Sequence, residues 1–237
     1  MNKIYFVTGS QDLYGEETLA QAAKDSAKMA DFLNEKLSDI AEVVFQPVVK
    51  TADEAEDICV RASSDRECIG VIMWMHTFSP AKMWIRALKA LKKPMLHLHT
   101  QFNEKLPYDS IDMDFMNLNQ SAHGDREFGF ICTRLGIKRE VVAGYYQHED
   151  VIEKIRRFAH AASAVSFSRT LRVAMLGNNM RDVAVTDGDR VESEIRFGWN
   201  VNYYGIGDVV EIADSVTESE IDAKMAEYTE KYTMATD

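Results

Sequence analysis

The sequence predicts a doubly wound α/β domain, with five parallel strands in the flavodoxin-like arrangement, followed by the start of a second α/β unit. Three observations carry that expectation. Short apolar runs alternate with stretches whose apolar residues recur at three-and-four spacing, the βα signature of a parallel sheet. Residues 69–75, IGVIMWM, are nearly all apolar, as a strand covered on both faces must be. The alternation then restarts near residues 167–170.

Taken in order, residues 4–8 form a short apolar run closed by Gly9-Ser10, a strand running into a turn. Across residues 17–37, Leu19, Ala22, Ser26, Met29, Leu33 and Leu37 keep to one helix face. Residues 43–49 read as the second strand, and Thr51 with Glu54 fits a capping box that opens the next helix. After the third strand, Ser79-Pro80 supplies an N-cap and a first-turn proline for a helix reaching about residue 92. Residues 95–99 and 141–146 are the fourth and fifth strands, and a helix from about residue 151 carries Ile152, Ile155, Phe158 and Ala162 on one face. The first domain is placed at residues 1–168. In residues 169–237, strands at 171–176 and 199–204 and a helix at 189–197 precede a last helix, 217–232, striped by Ile221, Met225, Tyr228 and Tyr232. Two strands rarely stand alone, so this second unit is expected to be the incomplete first part of a domain.

Composition narrows the function classes. The balance of 27 basic against 38 acidic side chains gives a net charge of -11, which argues against nucleic acid or an anionic membrane as partner. No apolar run approaches the length needed to span a bilayer, and residues 1–11 lack the features of a signal peptide. Cys59, Cys68 and Cys132 are odd in number and widely spaced, which favours buried reduced thiols and a cytoplasmic protein.

The most unusual stretch is 95–130, where a strand ending in His97-Leu98-His99 is followed by a long segment without helical or strand periodicity. Long aperiodic connections inside compact domains are usually functional or disordered. Ile111, Met113, Phe115, Met116 and Leu118 are too apolar for disorder, so an ordered loop with polar groups over an apolar floor is expected. His97 and His99 lie two apart and share a face, which permits a metal pair. The alternative, that they fill a crowded edge and hydrogen-bond backbone, is favoured because few such pairs are ligands. Asp109, Asp112 and Asp114 lack the glycine and glutamate of a calcium loop and suit turn or helix caps. His123-Gly124-Asp125-Arg126-Glu127 suits the opening of a helix with acids in its first turn. His123, closing the odd loop, is a functional candidate. His148 and His160 read as solvated, and Trp74, Trp84 and the methionines as core.

In an open parallel sheet, ligands bind beyond the carboxyl ends of the strands at the switch point, here between strands one and three. The adjoining loops are Gly9–Gly15 and His76–Ser79, with Thr100-Gln101 beside them. Neither dinucleotide nor P-loop spacing is present, so a nucleotide-binding flavodoxin-like protein is weakly supported. The residues by themselves indicate a small-molecule site built from strand-end loops.

Four blocks, GSQDLYGEETL, VIMWMHTFSPAKMWIRAL, HTQFNEKLPYDSIDMDFMNLNQSAHGDREFGFI and NNMRDVAVTDGD (178–189), closely resemble the N-terminal half of the bacterial L-arabinose isomerase family. The similarity extends across essentially the whole chain. Asp12 departs from the histidine common in that family. The resemblance implies a cytoplasmic enzyme of arabinose breakdown that interconverts L-arabinose and L-ribulose, and D-galactose and D-tagatose. It implies manganese and a homo-oligomer, trimeric or hexameric. Two glutamates and two histidines hold the metal in the family, and they belong to the part of the family sequence after residue 237; no metal ligand or catalytic residue is expected in this chain. By motif match, Gln11, Leu13 and Tyr14 would contact the sugar, His123 would hydrogen-bond a hydroxyl at its far end, and Phe78, Gln120 and Met180 would line the pocket. The chain alone is therefore expected to be inactive while supplying the substrate-site rim and subunit contacts. The alternative is a non-catalytic sugar-binding or oligomerisation module of the same descent.

Overall fold

A computed structural model describes residues 1–177, 181–185, 188–233 and 235. Contacts divide the chain into two units, Met1–Ser166 and Phe167–Asp237.

The first unit is a five-stranded parallel sheet of order β2-β1-β3-β4-β5, formed by β1 (Lys3–Thr8), β2 (Glu42–Phe45), β3 (Cys68–Trp74), β4 (Met95–His99) and β5 (Glu140–Ala143). This is the doubly wound, flavodoxin-like arrangement, with the winding reversing between β1 and β3. Its helices are α1 (Gly15–Leu37), α2 (Ala52–Ser64), α3 (Trp84–Ala90), α4 (Met113–Leu118), α5 (Ser121–Arg134) and α6 (Glu149–Ser168), the last extending across the division into the second unit.

Alternation along the strands builds two separate cores. Ile4, Phe6, Ile72 and Trp74 face α1 and α6 through Met29, Leu33, Ile155 and Phe158. Tyr5, Val7, Val71 and Met73 face α2, α3 and α5 through Ile58, Trp84, Leu88 and Phe128. Each fully buried large apolar side chain contributes roughly 1.5–3 kcal/mol, so β3, buried at all seven positions, anchors both layers. Cys59, Cys68 and Cys132 are buried and free.

The capping box at Thr51 is present, with its hydroxyl accepting from Glu54 N at 3.2 Å and the Glu54 carboxylate accepting from Thr51 N, also at 3.2 Å. Ser79 does not cap a helix. Pro80 precedes a 3-10 turn, Ala81–Met83, that feeds α3, and Ser79 Oγ instead accepts a bond from Trp84 Nε1 at 2.9 Å. β2 stops at Phe45, four residues short of the expected end, and rejoins the sheet only as an isolated bridge between Gly9 and Val49.

Two expectations for the segment after β4 need correction. It contains a helix, α4, which Asp112 caps by accepting from Phe115 N at 2.8 Å. Nor does it rest on a continuous apolar floor: Ile111, Met113 and Met116 are exposed.

The second unit pairs β6 (Arg172–Leu176) in parallel with β7 (Asn200–Tyr204). Its helices are α7 (Arg190–Phe197), α8 (Ile206–Ser215) and α9 (Glu218–Lys231), of which α8 was not anticipated. Asp189 caps α7 through Glu192 N at 2.9 Å, and Thr217 caps α9 with a second capping box. No helix among the described residues is long and apolar enough to cross a membrane.

Candidate functional site

The carboxyl ends of β1 and β3 are bound into one polar junction. The chain leaves β1 through Gly9 and Ser10, whose amides donate to Trp74 O at 3.0 Å and Val49 O at 2.7 Å. Gln11 follows in extended conformation, a 3-10 turn spans Asp12–Tyr14, and α1 starts at once with Gly15. Gln11 and Tyr14 are half-buried, whereas Leu13 is 84% exposed. Asp12 is exposed and pairs with Lys50 at 3.1 Å.

The β3 loop is tied to this turn from inside. Thr77 Oγ1 donates to Ser10 Oγ at 2.7 Å, both buried. His76, fully buried, stacks on Trp74 with ring centroids 4.3 Å apart, and its Nε2 lies 3.1 Å from Oδ2 of Asp25 on α1. Gln21 Nε2 donates to the other oxygen of Asp25 at 2.8 Å. Phe78, half-buried, follows Thr77.

The start of α5 docks on the same loop. Gln120 N donates to His76 O at 3.0 Å, and Ser121 Oγ lies 3.2 Å from Gln101 Oε1, the residue that follows β4 and Thr100. Contact is so close that a Cβ on Gly124 would come within 2.8 Å of Thr77 O and 2.9 Å of Met75 Cβ; only glycine fits. A Cβ on Gly9 would meet Ser79 Oγ at 2.7 Å for the same reason. His123, one position before Gly124, is exposed in the first turn of α5, and Gln120 is half-buried.

The segments bearing Gln11, Phe78, Gln120 and His123 are thus hydrogen-bonded together at the switch point. Leu13 and Tyr14 sit on the same turn as Gln11. Met180 lies outside the described residues. A cleft of about 280 Å³ opens nearby, at the ends of β4 and β5, between His99, Gln101 and Tyr145, and none of the residues expected to meet sugar lines it.

His97 and His99 do share a face, with rings parallel and 6.2 Å apart, but they converge on a carboxylate and not on backbone. His97 Nε2 lies 2.7 Å from Asp125 Oδ1, and His99 Nε2 lies 3.8 Å from Asp125 Oδ2. Asp125 is buried in the second turn of α5, which opens at Ser121, and not in the first turn as expected. Burial pushes its carboxyl up to about 8, and burial together with the positive charge of Arg139 holds His97 down to about 4. Among the described residues, no group of three or more His, Cys, Asp or Glu is arranged to hold a metal ion.

Residues 1–170 match the family model for the L-arabinose isomerase N-terminal domain, and residues 172–237 match the model for the central domain of the same enzyme. The chain belongs to the L-arabinose isomerase family. It is 51% identical over 230 residues to L-arabinose isomerase of Geobacillus thermodenitrificans, covering 97% of this chain and 46% of that protein. It is 52% identical over 230 residues to L-arabinose isomerase of Geobacillus stearothermophilus, with the same coverage, and 47% identical over 235 residues to that of Thermotoga petrophila, covering 99% of this chain and 47% of that protein. The chain spans about half the length of the curated relatives it matches.

Within this chain, sequence reading missed Asp25 and Asp125 as partners of the buried histidines. Asp25 had a signal: it stands four residues after Gln21 and three after Ala22, on the buried stripe of α1. An acid on that stripe has to find a buried partner.

Proposed function

We propose that this chain supplies the sugar-facing rim of an aldose–ketose isomerase that interconverts L-arabinose and L-ribulose, and also D-galactose and D-tagatose. The supporting observation is the hydrogen-bonded convergence at the switch point of three segments that carry the family blocks: the turn after β1, the loop after β3 and the start of α5. A sugar needs several donors and acceptors set in a partly apolar wall. Gln11 offers an amide donor and acceptor, Tyr14 a hydroxyl, and His123 an imidazole for a hydroxyl at the far end of the ligand. Leu13, Phe78 and Gln120 form the wall between them.

The groups that move protons between the two sugar carbons are assigned to the remaining half of the relatives' length, together with the manganese the family resemblance implies. Among the described residues, no three His, Cys, Asp or Glu side chains are grouped so as to hold a divalent cation. The rim would then serve the catalytic half of a neighbouring subunit in a trimer or hexamer.

Incubating the purified chain with L-arabinose and manganese should give no ketose above background; ketose formation would overturn the assignment of the catalytic groups to the other half. Calorimetry with L-arabinose or L-ribitol at millimolar concentration should register saturable heat, and a flat trace would count against the rim itself. A second reading is a sugar-binding or oligomerisation module without catalysis. Ketose formation when the chain is mixed with a separately expressed C-terminal half of a relative would exclude it.

A further inference from the structure

Burying a carboxylate and an imidazole costs free energy unless each is well partnered, so such a pair calls for a reason beyond packing. Asp25 and His76 are such a pair. The Asp25 carboxylate is held on both oxygens, by Gln21 at 2.8 Å and His76 at 3.1 Å. His76 is held on both sides of its residue: its ring by Asp25 and the face of Trp74, its carbonyl by Gln120 N and Ser121 Oγ. Its Nδ1 is buried with no hydrogen-bond partner among the described residues, so Nε2 makes the one polar contact that fixes the ring.

Two rigid paths meet at this pair. In one direction, Asp25 sits on α1, which continues without a break from the turn carrying Gln11, Leu13 and Tyr14. In the other, the His76 carbonyl receives the start of α5, which carries Gln120 and His123. The Thr77–Ser10 hydroxyl bond is a second, shorter strut between the same two loops.

We propose that Asp25 and His76 are positioning residues of the sugar rim: their buried contact holds the turn after β1 and the start of α5 in a single frame, so that the groups at the two ends of the sugar are set at a fixed separation. This rests on the rim reading given above. A sugar that bridges both segments strains or relaxes the frame on binding, and the pair, which touches no sugar, responds to it.

The test has two arms on the full chain. In the wild type, the His76 ring nitrogens are followed by ¹⁵N NMR during titration with L-arabinose; they shift along the same saturation curve as the amides of Gln11 and His123. In the double variant Asp25→Leu/His76→Phe, both buried polar partners become apolar groups of similar size, and only the half-buried Gln21 amide, which solvent can reach, loses its acceptor, so the cost in stability is small. Sugar affinity in that variant falls about tenfold or more, the scale expected when positioning is lost. The conservative variant Asp25→Asn, which keeps an acceptor oxygen for His76, retains most of the affinity. A rim that responds while His76 stays silent, or a folded double variant that binds like the wild type, overturns the inference and leaves the rim reading intact. A chain in which neither the rim amides nor His76 respond overturns both.

Discussion

At the scale of single residues, the His97–Asp125 pair sets the sharpest constraint. A carboxyl raised in the fold from 3.8 to about 8 contributes stability that is complete below 3.8 and disappears as pH climbs through 8. An imidazole lowered from 6.5 to about 4 contributes stability that is complete above 6.5 and is lost as pH drops through 4. Between about 4 and 6.5, the folded pair and the unfolded chain each hold one proton, and the two effects cancel. Between 6.5 and 8 only the folded pair keeps its proton, so stability falls there as pH rises, by up to about 2 kcal/mol. Urea melts at a series of pH values check this, and Asp125→Asn, locked neutral, should flatten that part of the profile. A wild-type stability that rises across the same interval would contradict the assignment. His97 and His99 were legible as a same-face pair because strand periodicity fixes side-chain direction. Asp125 was not. Gln120 occupies the N-cap of α5 without a side-chain capping bond, so the helix start gave no marker and Asp125 was read one turn too early.

At the scale of elements, tight seams between loops and helices decide where the candidate rim lies. Gly124→Ala forces a methyl group against Thr77 O and Met75 Cβ, at 2.8 and 2.9 Å, and should destabilise the chain by about 1–3 kcal/mol in chemical denaturation. It should also shift the amides of Gln120 and His123, because α5 must back away from the β3 loop. Thr51→Ala removes a complete capping box and should cost about 1 kcal/mol without disturbing that junction. Caps and long amphipathic stripes were readable because each has its own local chemistry. α4 was not, since six residues make fewer than two turns and show no period. α8 carries Val209, Val210 and Ile212, β-branched residues whose stiff side chains favour strand, together with Gly207, and so gave no clear helical signal. The short end of β2 likewise depends on pairing with β1, which no local pattern encodes.

At the scale of the whole molecule, the two units differ in how much apolar surface they bury. β3 and the strands beside it are covered on both faces, whereas the second unit leaves Val191, Ile195 and Ile212 well exposed around a two-stranded sheet. Amide protection follows burial, so hydrogen exchange should be slowest in β1, β3 and β4 and much faster in β6 and β7. Equal protection in both sheets would contradict this. The flavodoxin-like order assumed for the first sheet is the one observed, and its doubly wound parallel class was legible in the sequence from the alternation of strands and helices. The side-chain links across the switch point were not, since they join residues far apart in the chain: Ser10 with Thr77, Asp25 with His76, Gln101 with Ser121. The central claim is that the turn after β1, the loop after β3 and the start of α5 together face a sugar. Its most direct test is the amide NMR spectrum of the chain titrated with L-arabinose. The account predicts saturable shifts shared by Gln11, Tyr14, Phe78, Gln120 and His123; shifts confined to the cleft beside His99 and Tyr145, or none anywhere, would contradict it.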